Sequence, residues 1–388
     1  MVFRTFKLSV LFGFYWMTSC MVYSYAERFL LYYGFRTDEI GVVLAAAYLL
    51  GMLLQPLLSQ AADREKRVTL KSGICVSAAA CIVLAILTLF SARVLPLVAV
   101  LFGAMTCVTL TMQPLINAVG FHYINRGEPL DYSFARGVGS VAYALASLLL
   151  GALASLHVDF LLWIYLAANA AMLLVALWFA PHRTDRIVAA PVENPLSTVR
   201  KYPRLLLFCA GMLVLNVPHM FINSYLASIT AVTGGEMSVM IAIAALVEFP
   251  AMTAYSHLRK RFGDKPLLLF SASIYLVKTG LLLLAAVTPV GPWVTYVSFA
   301  LQMLCYAIFT PASLYYANGA VAKEDQVKGQ TFLTETGLLS GMISMLLGGL
   351  SLSHFGVGTS LLLCEALVLV GVLLIFFAVR KPKTANQS

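Results

Sequence analysis

The chain has 388 residues, of which 61% are hydrophobic and 11% charged, with a mean hydropathy of +0.88 and a formal net charge of +9. Usage this apolar excludes a soluble domain, and the polar gaps between apolar runs are too short to hold one. The positive balance is not a nucleic-acid signature either, because 21 of the 26 Lys and Arg residues form seven small clusters at every second gap.

In chain order the clusters are Arg4/Lys7, Arg64/Lys66/Arg67/Lys71, Arg126, Arg183/Arg186/Arg200/Lys201/Arg204, Arg259/Lys260/Arg261/Lys265, Lys323/Lys328 and Arg380/Lys381/Lys383. Alternate gaps hold only Arg36 and Arg93. Basic residues collect on the cytoplasmic side of inserted helices. The alternation therefore predicts an all-α membrane protein with twelve transmembrane helices in two six-helix halves and both termini cytoplasmic. The predicted spans are 8–33, 38–60, 72–92, 95–119, 131–155, 160–180, 204–232, 237–257, 266–288, 293–317, 329–352 and 359–380. Each is long enough for the ~20 residues that cross a bilayer. The first apolar run continues to about Tyr33, too long for the hydrophobic region of a cleavable leader. The seven cysteines lie almost all in apolar runs without CxxC spacing or His neighbours, and read as packing residues.

Residues 181–203 carry Pro181, Pro191, Pro195 and Pro203 with mixed charge, and read as a cytoplasmic linker between halves 1–180 and 204–388. A repeat supports the division. Ser59-Gln-Ala-Ala-Asp63-Arg64-Glu-Lys66-Arg67 follows span 2, and Ser256-His-Leu-Arg259-Lys260-Arg261-Phe-Gly263-Asp264-Lys265 follows span 8. Duplicated halves around a central cavity are an architecture of secondary transporters. The first of these loops resembles the signature of the major facilitator superfamily. Ser59, Asp63, Arg64 and Arg67 match, while Lys66 stands where that family has Gly. The resemblance implies that Asp63, Arg64 and Arg67 form a cytoplasmic gate holding the halves together.

Ionisable residues inside spans are costly and usually face a cavity or a partner. They are Glu27 and Arg28 in span 1, Arg136 in span 5, His219 in span 7, Glu248 in span 8, Lys278 in span 9, Glu335 in span 11 and Glu365 in span 12. Glu248 and Lys278 lie deepest, where a lone charge costs about 2.5–3.5 kcal/mol, so they are expected to pair. The pair reads either as a fixed structural bridge or as a proton-coupling device in which Glu248 takes up a proton when Lys278 moves away. The planar guanidinium of Arg136 suits bidentate recognition of oxygen acceptors. Gly137, Gly139 and Ala142 beside it offer a small-residue face for close helix contact. His219 lies beside Pro218, with Asn216 and Asn223 nearby, and reads as a cavity or a packing residue. Trp16 and the tyrosines of span 1 read mostly as packing or interface residues, with Tyr23 and Tyr25 able to stack on a ring.

Residues 37–46, with Gln55-Pro56 after them, resemble helix 2 of the oligosaccharide:proton symporters, the lactose-permease family. Asp131 to Tyr143 is similar to helix 5 of that family. There an Arg contacts the sugar and an aromatic seven residues later stacks on it, roles that fall on Arg136 and Tyr143. Glu248 corresponds to the helix 8 carboxylate, and Lys278 replaces an Arg in helix 9. The chain departs from the family at Asn117, where a sugar-binding carboxylate is usual, and at Gln302 and Cys305, where a His and a Glu carry the proton. Asn117 and Gln302 can still hydrogen-bond a hydroxylated solute.

The expectation is a non-enzymatic secondary active transporter in the cell membrane, the inner membrane in a bacterium. It would move a small polar organic solute, a sugar or glycoside, by proton symport and alternating access. An aromatic or other organic acid, or drug export by antiport, are the alternatives. The expected solute site is Asn117, Arg136, Tyr143, His219, Asn223 and Gln302, with Glu248 and Lys278 coupling to protons. No metal and no cofactor other than the proton gradient is expected; the partners are the solute and the lipid bilayer, with no nucleic acid, and the chain is expected to work as a monomer.

Overall fold

The computed structural model describes residues 2–64, 69–91, 94–179, 201–322 and 325–379, with the side chains of 2, 56–64, 125, 133, 327 and 328 outside the description. Every regular element among the described residues is helical. Apolar sequence in hydrocarbon has no water to satisfy its backbone, so each segment must close its own hydrogen bonds. The helices are α1 (Val2–Tyr23), α2 (Ala26–Tyr32), α3 (Thr37–Arg64), α4 (Leu70–Leu89), α5 (Leu95–Asn125), α6 (Tyr132–Leu156) and α7 (Phe160–Phe179). After the linker come α8 (Pro203–Ser224), α9 (Leu226–Thr233), α10 (Met237–Phe262), α11 (Asp264–Val287), α12 (Trp293–Ala300), α13 (Tyr306–Ala320) and α14 (Gln326–Val379). Ten helices among the described residues are long and apolar enough to cross a membrane. The last of them runs 51 residues, Gly329–Val379, more than two crossings of ~20 residues require. It bends at Gly356, whose φ of 73° belongs to the left-handed region that favours glycine.

Local chemistry sets several boundaries. Thr69 and Ser72 form a reciprocal capping box at the start of α4. Asp131 caps α6 by accepting from the Phe134 amide at 2.9 Å. Three predicted spans are broken. Span 1 breaks at Ser24–Tyr25, span 7 at Tyr225, and span 10 at a short 3₁₀ turn, Leu301–Met303, followed by Cys305. Pro218, in span 7, lies inside an unbroken α8. Neighbouring helices can tolerate a membrane proline by re-satisfying the freed carbonyl, and here the chain turns one helical stretch later.

Helices before residue 180 pack mainly on one another, as do those after 200. The two sets meet mainly along two seams, α3 on α14 and α6 on α10, with a smaller contact of α2 on α9. Small residues let both seams close. A Cβ on Gly41 would meet the Met345 carbonyl oxygen at 2.6 Å, and one on Gly349 would meet the Thr37 carbonyl and, at 3.0 Å, the Gly41 Cα. On the other seam Gly137 lies under the Phe249 ring and Gly151 against Ser238. Hydrogen bonds join the two sets at the bundle end remote from the N-terminus of α1. Ser147 Oγ donates to the Ser238 carbonyl at 3.0 Å, and the Ser228 amide, at 3.1 Å, and hydroxyl, at 2.5 Å, donate to Glu27.

Replacing Gly349 with Ala should force these backbones apart and destabilise the protein by about 1–3 kcal/mol, as overpacking does. Gly337 has no neighbour within 4 Å of its missing Cβ, so Gly337→Ala should be neutral or stabilising by up to about 1 kcal/mol. Thermal unfolding of the two purified variants checks the contrast; equal midpoints would contradict it.

Candidate functional site

Glu248 on α10 and Lys278 on α11 do not touch. Lys278 is 1% exposed, yet among the described residues its ammonium forms no ion pair. Gln302, in the 3₁₀ turn that breaks span 10, stands between them. Lys278 Nζ donates to Gln302 Oε1, and Gln302 Nε2 donates to Glu248 Oε1 at 3.0 Å. The amide thus turns one acceptor toward the cation and one donor toward the carboxylate. The expected direct pair is replaced by a relay, because the turn at 301–303 inserts a residue of the right polarity into the gap. The backbone carbonyl of Lys278 accepts from Ser298 Oγ at 2.8 Å, which anchors α11 to α12.

Arg136 faces this relay from the other set of helices. Its guanidinium lies 4.3 Å from the centroid of the Trp16 ring. A stacked cation of this kind gains about 0.5–2 kcal/mol. Among the described residues it makes no ion pair and no hydrogen bond, so its five donors are unclaimed by protein. Its charge and that of Lys278 both act on Glu248. Trp16 fits here because Gly139 has no side chain; a Cβ there would collide with the indole. Gly13 meets Ala142 in the same contact of α1 with α6. The small-residue face read from the sequence therefore receives two partners, Trp16 on α1 and Phe249 on α10.

Tyr143 packs its ring edge-on to Trp16 at 5.9 Å and shares a 2.7 Å hydrogen bond with Ser24. Asn117 accepts from the Tyr132 hydroxyl at 3.2 Å and has no bond to Arg136. His219 is buried, stacked on Tyr306 at 4.8 Å and edge-on to Tyr275 at 5.6 Å. The charge of Lys278 reaches it, and that of Glu248 reaches Tyr306. Asn223 Nδ2 bonds the His219 carbonyl at 2.8 Å, one helical turn back. The structure thus gathers Arg136, Tyr143, Glu248, Gln302, Lys278 and His219 around one junction between α6 and the α10–α13 region. Asn117 is tied to the start of α6, and Asn223 to its own helix. Trp16, Tyr275 and Tyr306 also belong to this junction, although in the sequence Trp16 reads as a packing or interface residue and the two tyrosines carry no signal. The glycines opposite Trp16 were the available signal.

Of the three gate residues, Arg67 and the side chains of Asp63 and Arg64 lie outside the described residues. The repeat counterpart is described. Arg259 Nε donates to Asp264 Oδ1 at 2.7 Å, Tyr255 donates to the same oxygen at 2.9 Å, and the Arg259 guanidinium stacks on Tyr315 at 3.7 Å. This cluster ties the end of α10 to the start of α11, where an acidic first-turn residue also suits the helix dipole. No group of three or more His, Cys, Asp or Glu residues able to hold a metal is found among the described residues.

Known proteins bear on this arrangement. The model of the MFS_1 like family matches residues 5–363. The chain belongs to that family and is a major facilitator transporter, a multi-pass membrane protein rather than an enzyme. Among solved structures it is similar to the nucleoside transporter NupG, with a TM-score of 0.79 and 16% identity over 97% of this chain and 99% of that one. The D-xylose-proton symporter gives 0.76 and 12% over 98% and 99%. A bacterial homolog of the human lysosomal transporter Spinster, in an inward-facing and unoccupied conformation, gives 0.72 and 15% over 98% and 97%. At these identities the likeness is one of fold. Among curated proteins no sequence match was found.

The relay makes a direct prediction. Gln302→Ala leaves buried donors and acceptors unmatched and should cost about 1–3 kcal/mol. Adding Lys278→Met should recover part of that loss, because the stranded cation is then gone. A double-mutant cycle by thermal or denaturant unfolding reads the coupling; strict additivity would show that the amide does not link the two charges.

Proposed function

We propose that this protein is a proton-coupled symporter of a small polar organic solute, working by alternating access with the solute held at the junction between its halves. Residues 1–180 and 204–388 are the rocking units and 181–203 their cytoplasmic linker. The carrying observation is the charged junction itself: an Arg136 guanidinium without an acceptor among the described residues, opposite a Glu248 joined to Lys278 through an amide. Charges at that depth are costly, so a site that keeps them unpaired serves a ligand or a proton.

In this reading Arg136 and Tyr143 engage the solute from the amino-terminal half. Glu248, Gln302, Lys278 and His219 complete the site from the other half, with Asn117 and Asn223 at its margins. Glu248 is the proton carrier. Rocking that carries the Arg136 charge of the other half away from this carboxylate removes a favourable interaction with its charged form and makes protonation easier. Twelve passes follow if α1 with α2 makes the first and α14 makes two about Gly356, and the charge alternation then puts both termini in the cytoplasm. The end sealed by Gly41/Gly349 and Ser147/Ser238 becomes the outer side, so this conformation is closed outward. Asp63, Arg64 and Arg67 are the matching cytoplasmic gate. We take the working unit to be a monomer in the cell membrane.

A sugar or glycoside is the first reading of the solute, from the resemblance of helices 2 and 5 to the oligosaccharide:proton symporters. NupG and the D-xylose-proton symporter, named for hydroxylated solutes, share the fold. A second reading, an aromatic or other organic acid, is favoured by charge: Arg136 and Lys278 against Glu248 leave one positive charge in excess.

Reconstituted protein in liposomes with an imposed pH gradient should accumulate at least one member of a labelled panel of xylose, galactosides, nucleosides and 4-hydroxybenzoate. Glu248→Gln should abolish gradient-driven accumulation while leaving solute exchange at equal pH largely intact. Undiminished accumulation in that variant removes Glu248 from the coupling role.

A further inference from the structure

The solute site leaves one buried carboxylate unused. Glu27, on α2, is 0% exposed and lies at the sealed end of the bundle. Its partner is the start of α9, in the other half. Oε2 accepts from the Ser228 amide at 3.1 Å and Oε1 from the Ser228 hydroxyl at 2.5 Å. The first amides of any helix lack intrahelical acceptors, and in α9 they get none locally, since the preceding residue, Tyr225, provides no side-chain cap. A negative charge at that position also suits the positive end of the helix. Glu27 therefore caps, from one half, a helix that belongs to the other.

The surroundings leave the carboxylate to this task. Among the described residues no ion pair includes it. On its own helix, the Arg28 charge is felt by Tyr25, whose hydroxyl donates to the Ser147 carbonyl. At the start of α3, Arg36 is held by Asp38 and, through its amide, by Glu39. On the far side the Tyr225 hydroxyl, which feels Glu27, donates to the Met345 carbonyl at 2.6 Å. A carboxylate with donors and no cation loses its charge-assisted bonds once it takes up a proton, and such bonds are about twice as strong as neutral ones.

We infer that Glu27 is the latch of the outer gate, holding the halves together by capping α9 across their junction and releasing them when it is protonated. Opening outward pulls α2 from α9 and strips both Ser228 donors of their charged acceptor, so the latch resists opening until the charge is removed. The words gate and outward rest on the alternating-access reading above; the cap does not.

Hydrogen–deuterium exchange on the full chain in lipid nanodiscs, with no solute and no gradient, tests it apart from that reading. Glu27→Gln, which keeps the shape and removes the charge, should speed exchange in the peptide covering 226–233 about tenfold, as expected for losing a hydrogen bond to a charged group. The peptide covering 306–320 should not change. Ser228→Ala, which removes one bond and no charge, should give a smaller rise at the same peptide. Acid should move the wild type toward the Gln variant once intrinsic exchange is corrected for, and should leave that variant unmoved. Unchanged exchange at 226–233 in Glu27→Gln would overturn the latch. A wild type that ignores acid, or a Gln variant that responds as strongly, would overturn its link to protons. Neither failure touches the solute site.

Discussion

A polar group in hydrocarbon must find its partner inside the protein, and the interior of this one is organised by that requirement. Its sharpest expression is the Gln302 amide, one oxygen turned to Lys278 and one nitrogen to Glu248. A direct pair would lock both charges in a single contact. An amide between them satisfies each more weakly and can be withdrawn from either by moving the short turn that carries it. The break in the helix at 301–305 is therefore part of the chemistry as much as of the fold.

Arg136 obeys the same requirement by different means. It is backed by an aromatic face instead of a carboxylate, which steadies the cation without occupying its donors. The space for that face comes from Gly139, and the neighbouring Gly137 lets Phe249 of the opposite half approach. Two glycines within one turn of Arg136 thus set both the orientation of its guanidinium and the fit of the seam. At the remote end the requirement produces a seal, with glycine backbones in contact and the hydroxyl and carboxylate groups of one half spent on backbone groups of the other. In the proposed alternating-access cycle, soft pairing at the middle lets partners exchange while firm pairing holds one end.

Helices, their membrane character and the family were legible in the sequence, because apolar runs of crossing length and clustered Lys and Arg are local signals. So were Glu248, Lys278 and Arg136, since a charge in an apolar run announces itself. Trp16 was not, because an indole in an apolar helix looks the same whether it meets lipid or backs an arginine. The two differ only in what lies opposite. The breaks at Tyr225 and Cys305 were equally invisible, and Pro218, the residue that normally signals a break, lies within unbroken helix.

The sequence by itself determined that this is a polytopic helical membrane protein and which charges its interior must accommodate, since length, hydropathy and charge act residue by residue. Tertiary structure alone decided how those charges are accommodated. Whether Lys278 meets Glu248 or an amide, whether Arg136 meets a carboxylate or a ring, and whether Glu27 faces lipid or caps a helix 201 residues away depend on helix rotation and on where turns fall. Those choices are set by close contacts between segments distant in the chain, such as Gly41 on Gly349, which no local pattern encodes.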